Sequence, residues 1–385
     1  MADSSEFSKL MVDQLPMESF WDIPLYQWEG FWYRSYHLEA TMALRSHFSS
    51  RDDDIILASP MKAGTTWLKA LCFSVVNSAA PNKADETLAK TDEDDPLLLH
   101  NHRDPLLENH PAVYVQTLEV QVFTAKPPPD VSSMKSPRLF HTHLPYTALS
   151  DSIKTSNCKL IYIARNPKDT LVSMWHFFNK LRTPQQGPYP FEKAFELFIN
   201  GVSHFGPFFD HVLQYWNQSL KAPNKVLFLK YEDLKRDPIG EVKKLALFLG
   251  KPFGDEKEVE DVIWRCSLER LKNLEVNKNG VDPWVGMPNS TYFRTGIVGD
   301  WKNMLSNEMI YHRFILIYGY GLCRIILLIK LSKLINFRSQ PSIFSPITQS
   351  LASHCSSLPL SLAVFRQRSL CFSHASLIDS RVDLI

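Results

Sequence analysis

Short apolar runs and helical stripes of apolar residues alternate between residues 55 and 249. Ile55–Ser59, Lys159–Ala164 and Lys225–Lys230 are short and mostly apolar, which is typical of buried strands in a parallel sheet. Thr65–Ser78 and the residues from Pro167 onward place apolar side chains along one helical side. Strands that alternate with helices predict an α/β fold, with a central parallel sheet flanked by helices in a single three-layer domain.

Other segments extend this alternation. Arg138–Pro145 predicts a short strand that ends at its proline, and Phe191–Ile199 and Phe205–Leu220 predict helices. A single helix is predicted over Tyr231–Leu249. Residues 274–300 lack periodicity and contain six Gly and Pro residues, so we expect a long loop that acts as a lid.

Eight aromatic residues lie between residues 20 and 36, ahead of the first predicted core strand. They either pack on the core or form a wall for a flat ligand, and packing is the more common use of such side chains. Residues 81–110 are polar and contain several prolines. That pattern predicts loops and short helical pieces near the mouth of a site.

Composition and charge exclude some classes of partner. The 385 residues carry a net charge of +1, so no global basic field favours nucleic acid. Six cysteines show neither a CxxC pair nor metal-ligand spacing, which predicts reduced thiols in a cytoplasmic protein without a metal site. Met1–Pro16 is polar, so a secretory signal is not expected.

The end of the chain differs in amino-acid composition from the rest. Residues 311–385 contain eight Lys and Arg but only two acids. Phe314–Leu328 is apolar but includes Arg324, which makes it too short and too charged for a membrane span. The tail is either membrane-associating or out-of-frame sequence, and the abrupt change in composition favours the second. We therefore expect a flexible N-terminus (1–17), one domain (18–309) and an atypical tail (310–385) that is disordered or aberrant.

Asp54–Trp67 carries the strongest chemical signal. A buried strand leads through a tight loop into a helix at Thr65, where unpaired N–H groups and the helix dipole favour an anion. Lys62 adds a positive charge, and Gly64 lets an anion approach the backbone closely. Lys62 precedes the glycine, so the loop is not a Walker A motif. The sequence thus predicts a phosphate-type ligand in a P-loop-like fold, rather than an ordinary ATPase.

Two further features lie at predicted strand ends. Arg165 ends the strand 159–164, and Ser173 lies about two turns into the next helix, so together they offer a second anion pocket. Two separate pockets indicate a nucleotide with phosphates at two places on its ribose. His143 follows another strand, although a single histidine is more often structural than catalytic.

Four segments together resemble the motifs of the cytosolic sulfotransferases. In chain order they resemble that family's 5′-phosphosulfate loop, catalytic-histidine segment, 3′-phosphate segment and late R-x-G-x-x-G-D-W motif: Pro60–Trp67, Thr142–Pro145, Arg165–Ser173 and Phe293–Lys302. Tyr26–Tyr33 and Cys266–Glu269 resemble the plant soluble branch. The resemblance runs from about residue 18 to residue 308. It implies sulfuryl transfer from 3′-phosphoadenosine-5′-phosphosulfate (PAPS) to a hydroxyl of a small acceptor, with no metal.

The resemblance also implies roles for single residues. His143 would take the acceptor's proton as general base, and Lys62 would stabilise charge on the leaving phosphate. Trp67 would stack on adenine, and Arg165 and Ser173 would bind the 3′-phosphate. The full set implied to bind PAPS is Lys62, Ala63, Gly64, Thr65, Thr66, Trp67, Arg165, Ser173, Tyr231, Ser267, Leu268, Arg294, Thr295 and Gly296.

Departures from the family pattern leave alternatives open. His141 stands where many animal members carry a lysine, and the animal dimer motif fits Lys302–Tyr311 only at its first residue, so a dimer does not follow from the sequence. The unusual tail favours, as a second hypothesis, a catalytically inactive paralogue that only binds PAPS or its product PAP. A nucleotide kinase and a membrane-bound carbohydrate sulfotransferase are weaker alternatives.

The acceptor is not encoded in any motif. Aromatic residues of the N-terminal segment, together with Phe123, Tyr146, Phe177 and Phe178, suit a flat acceptor. A phenolic or flavonoid, a steroid or a hormone-type alcohol fits this description, and phenolics are slightly preferred.

Overall fold

The computed structural model describes Val12 and residues 14–78 and 104–310. The chain forms two compact units, Met1–Met304 and Leu305–Ile385, and every element named below lies in the first. The predicted flexible N-terminus lies mostly outside the described residues, as do the tail after Ile310 and residues 79–103. The expectations for those three segments therefore stay predictions.

A small antiparallel sheet opens the described chain. Its strands are β1 (Met17–Phe20), β2 (Ile23–Trp28) and β3 (Phe31–Tyr33). Glu29 and Gly30 turn the second hairpin with φ values of 49° and 83°, the left-handed pair that suits a tight two-residue turn. Helix α1 (Ser35–His47) follows. Buried aromatic residues in this region are Phe20, Trp21, Phe31, Trp32 and Tyr33.

Among the described residues, the central sheet has five parallel strands. They are β4 (Ile55–Ala58), β5 (Gln116–Thr117), β6 (Leu139–Thr142), β7 (Lys159–Ala164) and β8 (Val226–Lys230), in the spatial order β5-β6-β4-β7-β8. Ala58 pairs with Thr142 on one side and with Tyr162 on the other. The residues that follow the strands therefore emerge at one edge of the sheet, where α/β folds bind ligands.

Helices surround this sheet. They are α2 (Thr65–Ser78), α3 (Pro111–Tyr114), α4 (Asp151–Thr155), α5 (Pro167–Asn179), α6 (Phe191–Ile199), α7 (Phe208–Lys221), α8 (Tyr231–Arg236), α9 (Pro238–Phe248), α10 (Glu256–Arg265), α11 (Leu268–Asn273) and α12 (Glu275–Lys278). Shorter turns are a π-helix at Leu118–Val122 and 3₁₀ helices at Pro105–Leu107, Tyr146–Ala148, Asn289–Tyr292 and Asp300–Asn303.

Strand β7 shows that helices pack on both faces of the sheet. Ile161 and Ile163 join one apolar cluster with side chains of α2, α9 and α10. Tyr162, between them, stacks on Tyr215 of α7 with ring centres 4.2 Å apart. Because alternate residues of a strand point to opposite faces, the sheet lies between two helical layers. The predicted three-layer α/β fold is confirmed.

At two places a proline makes a helix begin at a different residue from the one predicted. The single helix expected over Tyr231–Leu249 is wrong, because Pro238 lacks an N–H group and begins a new helix, α9. Asp237 Oδ1 caps it by accepting a 2.9 Å hydrogen bond from Gly240 N. The helix expected from Phe205 begins instead after Pro207. No helix among the described residues combines the length and apolar character needed to cross a membrane.

Candidate active site

A cavity of about 830 Å³ lies where the strands of the central sheet end. Its lining includes a residue directly after each of β6, β7 and β8, namely His143, Arg165 and Tyr231, and Met61 and Lys62 from the loop after β4. A large cavity at the carboxyl edge of a parallel sheet is the usual ligand site of an α/β fold.

The loop after β4 has a left-handed backbone conformation at two positions. Lys62 has a φ of 64° and Gly64 a φ of 106°, both in the left-handed region that favours glycine. A Cβ atom at Gly64 would lie 2.8 Å from the Tyr231 ring. Thr65 begins α2, and its hydroxyl lies 2.7 Å from Ser59 Oγ. The loop thus needs a glycine, and it presents the N-terminus of α2 to the cavity.

Lys62 lies among other positive charges. Its Nζ atom is 4.1 Å from the centre of the Phe177 ring. Burial, together with the charges of Arg165, Lys180 and Arg294, lowers the pKa of Lys62 to about 7. Such a cluster disfavours a cation and would be stabilised by an anion.

Arg165 lies at the end of β7, beside the lid. Its Nη2 atom donates a 2.9 Å hydrogen bond to Ile297 O, and its guanidinium carbon lies 4.5 Å from the Tyr231 ring centre. Its Nε atom is buried and has no hydrogen-bond partner among the described residues. Ser173, one turn and a half along α5, lines the same cavity. The pair could hold one phosphate group.

Asp169 ties the late segment of the lid to α5. This buried carboxylate accepts hydrogen bonds from Gly299 N at 2.8 Å and from Trp301 N at 3.0 Å. Arg294, which lines the cavity, pairs with Asp300 at 2.6 Å. Segment 274–300 is not one long loop, since it contains α12 and the 3₁₀ helix Asn289–Tyr292, but its late part is held at the cavity by charge-assisted hydrogen bonds, as a lid would be.

An apolar slot lies between α2, α8 and the lid. Trp67 and Tyr231 meet edge to face with ring centres 5.4 Å apart, and Tyr231 Oη donates a 2.9 Å hydrogen bond to Gly296 O. Gly296 has a φ of 61°, and a Cβ atom there would lie 2.6 Å from Leu268 Cδ2. Ser267 caps α11 beside it. A flat aromatic ring fits such a slot.

His143 is held in one tautomer by the backbone. Its Nδ1 atom lies 2.9 Å from Ser59 O, and since a carbonyl oxygen only accepts hydrogen bonds, Nδ1 carries the proton. In the neutral ring, Nε2 therefore keeps a free lone pair. Burial lowers the pKa of His143 to about 3, although the bond to Ser59 opposes this. The ring is thus neutral at pH 7, which is the form a general base needs.

Glu119 fixes the backbone that carries His143. Its two oxygens accept hydrogen bonds from His143 N at 2.7 Å and from Thr142 Oγ1 at 2.8 Å. Burial raises the pKa of Glu119 to about 7. His141, by contrast, does not line the cavity: its Nε2 atom lies 3.0 Å from Ser59 Oγ and its Nδ1 atom 3.2 Å from Thr117 Oγ1. Of these two histidines, only His143 has a nitrogen available to a ligand.

Twelve of the fourteen residues expected to bind PAPS line this cavity, as does His143. The other two do not line the cavity: the Ala63 side chain is buried, and Thr295 is exposed. Phe177, Phe178 and Tyr36 line the cavity. Phe123 and Tyr146 do not, because they pack on Phe48 and Tyr215. Sequence reasoning missed Lys69, His110 and Glu119, for which no local motif exists.

Comparisons with known proteins agree with this geometry. The family model for the sulfotransferase domain matches residues 52–315. Cytosolic sulfotransferase 5 of Arabidopsis thaliana is 43% identical over 314 residues, which are 80% of this chain and 92% of that protein. Cytosolic sulfotransferase 6 of the same plant is 41% identical over 79% of this chain and 90% of its own length. The cytosolic naming of these relatives agrees with the cytoplasmic location predicted from the sequence.

Solved structures show the same fold. A candidate steroid sulphotransferase from Arabidopsis thaliana has a TM-score of 0.60 at 32% identity and covers 83% of this chain and 97% of its own. A mouse sulfotransferase in complex with PAP has a TM-score of 0.55 at 25% identity, over 78% of this chain and 96% of its own. The chain therefore belongs to the sulfotransferase family of PAPS-dependent transferases, among its plant cytosolic members.

Proposed function

We propose that this protein transfers a sulfuryl group from PAPS to a hydroxyl of a small, flat acceptor of the phenolic or flavonoid, steroid or hormone type. One observation carries the proposal. A neutral histidine whose Nε2 lone pair is not used by its own backbone contact lines the same cavity as Lys62, a lysine without an ion-pair partner among the described residues. A base and a cation facing one space are what transfer to a hydroxyl requires.

The two sides of the cavity differ in character. The nucleotide wall consists of Lys62, Gly64, Arg165, Tyr231 and Gly296. Its two glycines have positive φ values and leave room that a Cβ atom would fill, and Arg165 offers a buried, unpartnered Nε–H. These features suit a nucleotide with separate phosphates: the loop after β4 would hold the 5′ end, Arg165 and Ser173 the 3′-phosphate, and Trp67 and Tyr231 the base.

Proton transfer falls to His143. Its Nε2 lone pair would take the proton of the acceptor hydroxyl while the acceptor oxygen forms its bond to sulfur. PAPS supplies the sulfuryl group, and its S–O bond to phosphate breaks with the electron pair staying on PAP. Lys62 would offset the negative charge that develops on that phosphate oxygen. Positioning and electrostatics suffice for in-line transfer of this kind.

The acceptor wall consists of His37, His143, Phe177, Phe178 and Phe205. The Phe205 ring stacks on His143 with centres 5.6 Å apart, and His37 Nδ1 lies 2.8 Å from His204 Nε2. All five members line the cavity. Aromatic faces around the base favour a flat acceptor whose hydroxyl points at His143.

Transfer from radiolabelled PAPS to a panel of phenols, flavonoids and hydroxysteroids tests the proposal. We expect labelled product from at least one class and tight binding of PAP in calorimetry. PAP binding without transfer to any acceptor would instead favour the inactive paralogue. Absence of PAP binding would contradict the assignment of the nucleotide wall.

A further inference from the structure

His110 presents a buried hydrogen-bond donor to the cavity. Its Nδ1 atom caps α3 by accepting a 3.1 Å hydrogen bond from Ala112 N, so the proton of the neutral ring is on Nε2. Burial and the charges of Lys69 and Lys62 lower the pKa of His110 to about 3, which keeps the ring neutral. His110 is only 4% exposed, it lines the cavity, and its Nε2 atom has no partner among the described residues.

Lys69 is a second buried donor of the same cavity. It lies on α2, is 4% exposed, and its Nζ atom donates a 2.9 Å hydrogen bond to Thr117 Oγ1. Burial lowers its pKa to about 7, although Glu119 and Asp282 oppose this. Across residues 14–78 and 104–310, no carboxylate lies within ion-pair distance of Lys69.

The two acids that influence Lys69 already have other partners. Both oxygens of Glu119 accept hydrogen bonds, from His143 N and Thr142 Oγ1. Asp282 accepts at Oδ1 from Trp284 N and at Oδ2 from Tyr292 Oη, at 2.9 and 2.8 Å. Beyond its bond to Thr117, Lys69 therefore keeps donors that the described residues do not use, and a negatively charged ligand would favour its charged form.

Lys69 belongs to the side of the cavity that carries the base. Thr117, which it contacts, is 3.2 Å from His141 Nδ1, and the His141 and His143 rings are 4.5 Å apart. Trp67, two residues earlier on α2, contacts Tyr231 of the nucleotide wall. Positions two apart on a helix point about 200° apart. Lys69 and the nucleotide wall therefore lie on different sides of α2.

We propose that His110 and Lys69 form a subsite for a carboxylate of the acceptor, so that the preferred acceptor is a hydroxy acid. Both groups are donors, and a carboxylate supplies acceptor oxygens together with the negative charge that Lys69 lacks. His110 would donate to one oxygen, and Lys69 would pair with the charge. This inference rests on the proposed function, since the hydroxyl of the same acceptor would face His143.

Matched pairs of acids and esters test the subsite. The probes are three phenolic acids, with zero, one or two methylene groups between ring and carboxyl, and their methyl esters. Affinity is measured by calorimetry with PAP present, and kcat/KM with PAPS. For at least one pair we expect the wild type to bind the acid tenfold or more tightly than the ester, with the same preference in kcat/KM.

Two variants separate the contributions of Lys69 and His110 to acceptor binding. Lys69→Met should abolish the preference for the acid and weaken acid binding far more than ester binding, since it removes the charge but keeps the volume. His110→Asn keeps an oxygen that can cap α3 but removes the Nε2–H donor, so it should weaken acid and ester alike, several-fold. Lys126→Met is the control: this lysine is exposed and pairs with Glu39, so the preference should survive.

The outcomes test the carboxylate subsite and the proposed sulfotransferase function separately. No gap between acid and ester in any wild-type pair, or a gap that persists in Lys69→Met, overturns the subsite. Equal transfer to acids and esters leaves the sulfotransferase function standing without it. Tighter binding of an acid supports the subsite, and if neither these probes nor the panel of phenols, flavonoids and hydroxysteroids is sulfated, the proposed function is contradicted. Melting temperatures of the variants confirm that each one is folded.

Discussion

The nucleotide wall and the acceptor wall are built in different ways. The nucleotide wall uses backbone shape and charge in short segments: Gly64 and Gly296 adopt positive φ, and Lys62 lies two residues before Gly64. The acceptor wall joins side chains from distant segments, such as His37, which meets His204 across 167 residues. A wall that binds the same ligand in every relative can be specified by short sequence motifs. A wall that determines which acceptor is bound can change as the loops that form it change.

Charge separates the two walls as well. Lys62, Arg165 and Arg294 converge near the loop after β4, and their mutual repulsion is one reason why the pKa of Lys62 is lowered. Histidines on the acceptor side, including His37 and His143, are kept neutral by burial. On the proposed function, the first wall binds anionic groups and the second a ring with its hydroxyl. The predictions below test that division.

Lys62→Ala should have the largest effect of the variants on the nucleotide wall. Loss of a buried donor to developing charge typically costs about 10²–10³ in rate, so the single-turnover rate with saturating PAPS should fall by that order. Acceptor affinity is measured separately, because the Lys62 Nζ atom also contacts Phe177 of the acceptor wall at 4.1 Å. A rapid-quench measurement gives the rate, and an unchanged rate would remove Lys62 from the chemistry.

Gly64→Ala should weaken nucleotide binding by roughly tenfold or more. The added Cβ atom would lie 2.8 Å from the Tyr231 ring, at a φ of 106°. Gly250→Ala is a matched control, because its φ of 69° is also left-handed but nothing lies within 4 Å of the new atom. Calorimetry with PAP compares the two. Equal losses would show that backbone strain alone, rather than the shape of the nucleotide wall, is responsible.

The buried histidines predict a loss of stability in acid. Burial lowers the pKa values of His37, His110 and His143 to about 3 and that of His211 to about 4, whereas in the unfolded chain they stay near 6.5. Below pH 6.5 the unfolded state therefore binds more protons, so stability falls as the pH is lowered towards those values. Between pH 7 and pH 5 the free energy of unfolding should fall by at least ~1 kcal/mol.

Urea unfolding at several pH values measures this effect. His47→Gln, at the end of α1, serves as the control, because His47 is exposed and its replacement should leave the acid slope unchanged. A variant that removes one buried histidine, His211→Gln, should make the slope shallower. A stability that is flat from pH 7 to pH 5 would contradict the burial of these rings in solution.

The fold and the nucleotide wall could be predicted from the sequence because their signals are local. Apolar runs mark β4, β7 and β8, and the loop around Lys62 and Gly64 fits in eight residues. The break at Pro238 was also readable, since Asp-Pro is a common start of a helix.

The remaining parts of the site depend on contacts between distant residues. Glu119 reaches His143 across 24 residues, and Lys69 reaches Thr117 across 48. The unpartnered Nε2 atom of His110 is visible only once the fold has buried it. No spacing rule predicts such contacts, because the sheet, rather than the local chain, brings them together.

His143→Ala gives the most direct test of the central claim, that His143 takes the acceptor proton. Its single-turnover rate with PAPS and the best acceptor, and its PAP affinity by calorimetry, are measured beside those of the wild type. The account predicts that turnover falls to background while PAP affinity stays within about twofold, because the nucleotide wall is untouched. A turnover rate near the wild-type value, with PAP still bound, would contradict the assignment of His143 as the base.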